Sequence, residues 1–146
     1  MTLMTPIDIL NRMLSNDLFS QWLGVECLSV SEGACTLRAT VRPEMTNGFG
    51  VAHGGITFSL ADSAFAFASN SRGQHAVSIE TSIAHTVPVF PGDVLTATAT
   101  EDHRSQRLGR YTVRVLNQNN KTVALFHGTV FIKPDAWALD PAQDNQ

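Results

Sequence analysis

Gly54-Gly55-Ile56-Thr57-Phe58-Ser59-Leu60-Ala61-Asp62-Ser63-Ala64-Phe65-Ala66-Phe67-Ala68-Ser69-Asn70 decides how this 146-residue chain folds. The stretch is almost all helix-compatible Ala, Leu, Phe, Ile and Ser, and Asp62 is its one interior charge. Ile56, Leu60, Phe65 and Phe67 are spread around the helix axis, so no broad side suits water and the helix must be wrapped by other elements. The flanking sequence supplies the wrapping. Beyond Gly73, segments 76–84, 94–102, 110–117 and 122–133 alternate apolar with polar residues; in the first, Val77, Ile79, Thr81 and Ile83 oppose Ser78, Glu80 and Ser82. Ahead of the helix, Cys35, Leu37, Ala39 and Val41 alternate with Thr36, Arg38, Thr40 and Arg42, and 25–31 pairs with them through Ser31-Glu32-Gly33. The breaks are turn-forming: two prolines and a glycine in 88–93, a polar 105–109, an Asn-rich 118–121. Two helical pieces, 6–14 and 16–23, make an N-terminal region of residues 1–24, and a polar tail is expected over 134–146. The order predicts an α+β fold, one domain over 1–146, with a mainly antiparallel sheet curled round a long central helix.

The composition excludes several classes. Apolar residues are 43% and charged residues 16%, which supports a packed core rather than disorder. Ten Lys and Arg against thirteen Asp and Glu leave a net charge of -3, with no cationic field for a nucleic-acid backbone. Cys27 and Cys35 lack a CxxC spacing and read as reduced core thiols. No apolar run approaches a membrane span, and residues 1–8 lack a signal-type pattern, so a cytoplasmic protein without a membrane partner is expected. Histidines 53, 75, 85, 103 and 127 form no metal-type cluster, and the Gly-rich loop at 47–55 matches neither a P-loop nor a dinucleotide fingerprint, so neither metal nor cofactor is demanded. There is also no G-x-S-x-G elbow for a serine nucleophile.

Two features can do chemistry. Asn47-Gly48-Phe49-Gly50-Val51-Ala52-His53-Gly54-Gly55 feeds a Gly-rich loop into the start of the apolar helix. The first N–H groups of a helix have no internal partner and lie at its positive end, so they can hold an oxyanion, while Gly54 and Gly55 let a carbonyl approach closely. Tight packing is the other use for such glycines. Asp62, in mid-helix, bears a desolvation cost that a function would explain; a solvated face or a partner among Ser59, Ser63 and Ser69 is the alternative. His53 reads as a residue that orients the loop rather than one that transfers a proton. Gly54 and Asp62 are ~12 Å apart along one helix, so if they act together they belong to two chains across a two-fold axis.

In combination, the stretch from Asn47-Gly48 to His53-Gly54-Gly55 and Asp62 within Ser59-Leu60-Ala61-Asp62-Ser63-Ala64 resemble the hotdog-fold thioesterases of the phenylacetate-degradation type. Asn16-Asp17, Ser69-Asn70-Ser71, Pro91-Gly92-Asp93 and 122–126 extend the resemblance over nearly the whole chain. It implies a hotdog fold, a homotetramer built as a dimer of dimers, no metal, and hydrolysis of acyl-CoA thioesters with aromatic acyl groups favoured. It also implies an oxyanion donor at the Gly54 N–H, a catalytic carboxylate at Asp62, positioning residues at Asn16, Asn47 and His53, and substrate contact at Asn47 and Gly55. Asp62 as general base and Asp62 as nucleophile both suit these residue types. Arg104, Arg107 and Arg110, near one turn, are candidates for the CoA phosphates, although such clusters are often solvated faces. A hotdog enoyl-thioester hydratase or dehydratase and a non-catalytic acyl-CoA-binding module are the rival functions.

Overall fold

Thr5 starts the first helix as a reciprocal cap: its hydroxyl accepts from the Asp8 N–H at 3.3 Å, and the Asp8 carboxylate accepts from the Thr5 N–H at 3.1 Å. With Pro6 pre-set in the first turn, α1 runs Pro6–Asn16 and buries Ile9 and Leu10. Asp17 ends it and caps α2, Leu18–Leu23, which Gly24 closes in the left-handed conformation at φ 80°. The sequence predicts both helices, two residues short at the end of the first and two residues early at the start of the second. The computed structural model describes residues 3–139.

The sheet follows the alternation. Strands β1, Glu26–Ser31, and β2, Ala34–Thr40, form the hairpin; after the central helix α3, Gly54–Asn70, come β3, Gln74–His85, β4, Val94–Arg104, β5, Leu108–Leu116, and β6, Thr122–Ala136. They form one six-stranded antiparallel sheet in the order β1-β2-β4-β5-β6-β3. The strand that follows α3 in sequence therefore crosses to the far edge, beyond the last strand. One face carries Leu37, Ala39, Leu95, Ala97, Ala99, Val113, Val115 and Phe126 into the core, all buried. The other carries Thr36, Thr98, Thr100, Asp102, Thr112, Arg114 and His127 and is polar. Together with α1 and α2, the sheet wraps α3, which is the hotdog architecture the resemblance implies.

The wrapping of α3 is close where its rings meet the sheet. Phe65 packs against Tyr111 and Phe126 at centroid distances of 5.8 and 5.5 Å, and Gly128 on β6 makes room beneath it: a Cβ there would stand 2.6 Å from the ring. The enclosure is incomplete along one narrow stripe, Gly55, Ser59, Asp62 and Ala66, spaced at helical intervals and left partly open. Buried Asn70 locks the other end of the helix. Its Nδ2 donates to the carbonyls of Ala66 and Ala76, and its Oδ1 accepts from the Ala76 N–H and from the indole N–H of Trp137.

That last contact corrects the expected tail. Regular structure does not stop at Pro134: β6 continues to Ala136, Trp137 stacks on His75 at 4.2 Å, and Ala138 bridges to Leu3. The proline is accommodated because the β3–β6 register shifts between the pairs Ala76–Ile132 and Gln74–Ala136, an irregularity in the ladder that demands no N–H from residue 134. Residues 140–146 of the expected tail lie outside the described residues. No helix is long and apolar enough to cross a membrane among the described residues.

Candidate active site

The loop that enters α3 is built by Asn47. Its backbone N–H donates to the Val51 carbonyl at 2.8 Å, its side-chain Oδ1 accepts from the Phe49 N–H at 2.9 Å, and Gly50 turns the chain at φ 78°. The Ala52 N–H then donates to the Val89 carbonyl and the His53 N–H to the Met45 carbonyl, which fixes the angle at which the chain meets the helix. His53 is the helix cap: its Nδ1 accepts from the Gly55 N–H at 2.9 Å and its carbonyl from the Ile56 N–H at 2.9 Å. The Gly54 N–H is left without a partner among the described residues.

Gly54 opens onto a pocket of about 350 Å³. Val51, Val87, Pro88 and Val89 form its apolar wall, and Asn47, Thr57 and His85 add polar groups. Gly55 and His53 face a second, smaller hollow on the other side of the helix start, beside Met45 and Thr46. Asn47 and Gly54 thus share one pocket, while His53 reaches it only by capping the helix that forms its floor.

Asp62 belongs to neither hollow. It sits two turns further on, half-buried on the open stripe, and the three serines near it in sequence are occupied elsewhere. The Ser59 hydroxyl donates to the Gly55 carbonyl, that of Ser69 to the Ala66 carbonyl, and Ser63 shares a hydrogen bond of 2.8 Å with Ser20. Ser20 is in turn bound to Asp17, so α2 brings a second carboxylate toward Asp62. Burial first, and the Asp17 charge second, push the Asp62 carboxyl above its ordinary value, which makes its carboxylate a stronger proton acceptor. Asn16 stands at the same end as Asp17, with its Nδ2 on the Arg12 carbonyl at 3.2 Å. Each chain therefore presents two separate groups of candidate residues: Gly54 with Asn47 at the helix start, and Asp62 with Asp17 at mid-helix.

The three arginines do not converge. Arg110 Nη1 reaches Thr129 at 2.8 Å and Glu80 at 3.4 Å on the outer face of the sheet, and Arg107 is exposed in the β4–β5 turn. Arg104 donates to Gln74 and lines a polar hollow with Arg72, Glu101 and Asp102. Arg72, just past the end of α3, makes a bidentate contact with Glu101, so this hollow lies at the opposite end of α3 from Gly54. No group of three or more potential metal ligands occurs among the described residues. His85 was not singled out by sequence reasoning. It is the last residue of β3, and its approach to Gly54 depends on a loop and a strand meeting, for which no local pattern signals.

The chain is similar to known proteins over most of its length. The model of the thioesterase superfamily matches residues 49–124. The acyl-coenzyme A thioesterase PaaI of Escherichia coli is 45% identical over 118 residues, 81% of this chain and 84% of that protein. The structure of the E. coli PaaI protein from the phenylacetic acid degradation operon superposes with a TM-score of 0.84 at 41% identity, covering 86% of this chain and 91% of that one. A hypothetical thioesterase from Streptococcus pneumoniae, crystallised with coenzyme A, has a TM-score of 0.74 at 25% identity over 77% of this chain and 91% of its own.

Proposed function

The chain belongs to the thioesterase superfamily and is an acyl-CoA thioesterase of the PaaI type, and from that premise we infer how its residues divide the work and which acyl groups it takes. The substrate class is aromatic acyl-CoA, phenylacetyl-CoA or its ring-hydroxylated derivatives. Two things favour it: the phenylacetic acid degradation operon of the similar E. coli protein, and the apolar wall of the Gly54 pocket, which has space for one ring. The bound coenzyme A of the S. pneumoniae relative supports CoA as the carrier.

The thioester carbonyl oxygen rests on the Gly54 N–H, which the helix dipole makes a better donor as negative charge develops there. Asp62 of a second chain takes a proton from water, the water oxygen bonds to the carbonyl carbon, and the C–S bond breaks. The acid leaves with the water oxygen, and the proton ends on the CoA sulfur. We favour the general base over the nucleophile because a carboxylate raised in basicity abstracts a proton better, and water can fill the partly open stripe around Asp62.

The observation that carries this reading is the separation of the half-sites: Gly54 lines a pocket from which Asp62 is absent, ~12 Å away along the same helix. Two α3 helices running antiparallel across a two-fold axis bring each Gly54 to the other's Asp62, giving two sites per dimer, and the family resemblance supports a tetramer of two such dimers. The same pairing carries the Arg104–Arg107 turn of one chain toward the partner's Gly54, so Arg104 and Arg107 are the proposed contacts for the CoA phosphates, with Arg110 held by Glu80. A cytoplasmic location accords with the free thiols of Cys27 and Cys35.

A thiol-release screen over aliphatic and aromatic acyl-CoAs tests the function. Aromatic substrates should rank first in kcat/KM. Hydration of an enoyl-CoA without thiol release would replace the hydrolase with a hydratase, and binding without turnover would reduce the protein to a carrier.

A further inference from the structure

The charge that develops on a thioester oxygen is best held by converging donors, and the start of α3 offers one. The Gly55 and Ile56 N–H groups are consumed by His53, which leaves that of Gly54. The ring of His85 lines the same pocket. Its Nε2 is 3.2 Å, and its Cε1 3.5 Å, from the place a Cβ would occupy on Gly54. Two bonds separate such a Cβ from the Gly54 nitrogen, a span under ~3 Å, so the two nitrogens lie within ~6 Å of each other. Two donors that each reach one oxygen at ~3 Å can stand up to ~6 Å apart. Unlike the rings of His53 and His127, the ring of His85 makes no hydrogen bond among the described residues, so its nitrogens are free for a ligand.

We propose that His85 is a catalytic residue of this thioesterase, its Nε2–H donating to the thioester oxygen together with the Gly54 N–H. The assignment rests on the hydrolase reading and on Gly54 as the first donor. No bond to His85 is made or broken; the imidazole keeps its proton and lowers the energy of the oxyanion while water adds and the thiolate departs. Glycine at 54 then serves two ends, because any Cβ would enter the space in which the oxygen and the ring meet.

His85→Phe keeps a ring and removes the donor, and His85→Gln shortens the group but keeps an N–H. His85 is solvent-facing, so both variants should fold, with melting temperatures near that of the wild type. With phenylacetyl-CoA, His85→Phe should lose ~10²-fold in kcat with KM within a few-fold, and His85→Gln should recover part of the loss. A second readout is the infrared stretch of a ¹³C-labelled carbonyl in phenylacetyl-CoA bound to the Asp62→Asn protein, which should move to higher wavenumber when His85→Phe is added. If His85→Phe keeps kcat within twofold, changes only KM, or leaves the carbonyl band unmoved, His85 shapes the pocket and the proposal is overturned while the hydrolase reading stands. If the wild-type protein releases no thiol from any acyl-CoA, the hydrolase reading fails first and takes this assignment with it.

Discussion

Asp62 is costly where it stands, and the cost has a sign. Burial and the Asp17 charge raise its carboxyl above the ordinary value, so the folded protein holds that proton more tightly than the unfolded chain does. Stability contributed by Asp62 is complete below the ordinary carboxylate pKa of ~3.9 and is lost as pH rises through the raised folded value. Asp62→Asn cannot ionise and escapes that loss. It should melt a few degrees above the wild type at pH 7, and the gap should close below about pH 4. It should also lose ~10²-fold or more in kcat, as removal of a general base does. A variant that melts lower at pH 7 would overturn the stability argument, and one that turns over normally would remove Asp62 from the chemistry. Asp62 was legible in the sequence because a lone charge in an apolar run is conspicuous. His85 was not, because an exposed histidine at a strand end looks the same whether or not a glycine N–H lies across a gap from it.

At the level of the elements, the fit between α3 and the sheet is set by rings and by one missing side chain. Gly128 lies under Phe65, whose ring is held edge-on by Tyr111 and near Phe126, so it has nowhere to retreat. Gly128→Ala should cost ~1–3 kcal/mol by overpacking, measured by urea denaturation, while an unchanged midpoint would mean that β6 yields more easily than its packing suggests. The elements themselves were readable: strand alternation located all six strands to within about three residues, and the apolar run set both ends of α3. What escaped was order and ending. The crossing of β3 to the far side of β6 depends on contacts some fifty residues apart in the chain, and the extension of β6 past Pro134 depends on a register shift that no local pattern announces.

For the whole molecule, the proposed division of the site between two chains would make assembly a condition of activity. Gly54→Pro deletes the free N–H and should lose ~10²-fold or more in kcat on its own. Co-expressed with Asp62→Asn, it should regain activity, because a mixed dimer gathers both lesions into one site and leaves the other whole. With random pairing, half the dimers are mixed and each keeps one site of two, so the preparation should reach about a quarter of wild-type activity. Differentially tagged mixed dimers as inactive as their parents would place the whole site within one chain.

The position of β6, between β5 and β3, sets a schedule for biosynthesis. The helix is complete at residue 70, whereas the strand that lies beneath Phe65 ends at residue 136, which is 66 residues later. A ribosome adding ~5–20 residues per second leaves that interval open for ~3–13 s. Throughout it, an all-round apolar helix has no complete cover, and the pairing that closes over it is among the most distant in the chain, the kind that forms slowly. Nascent-chain holdases, more than the stability of the finished protein, should therefore govern how much of this enzyme a cell recovers.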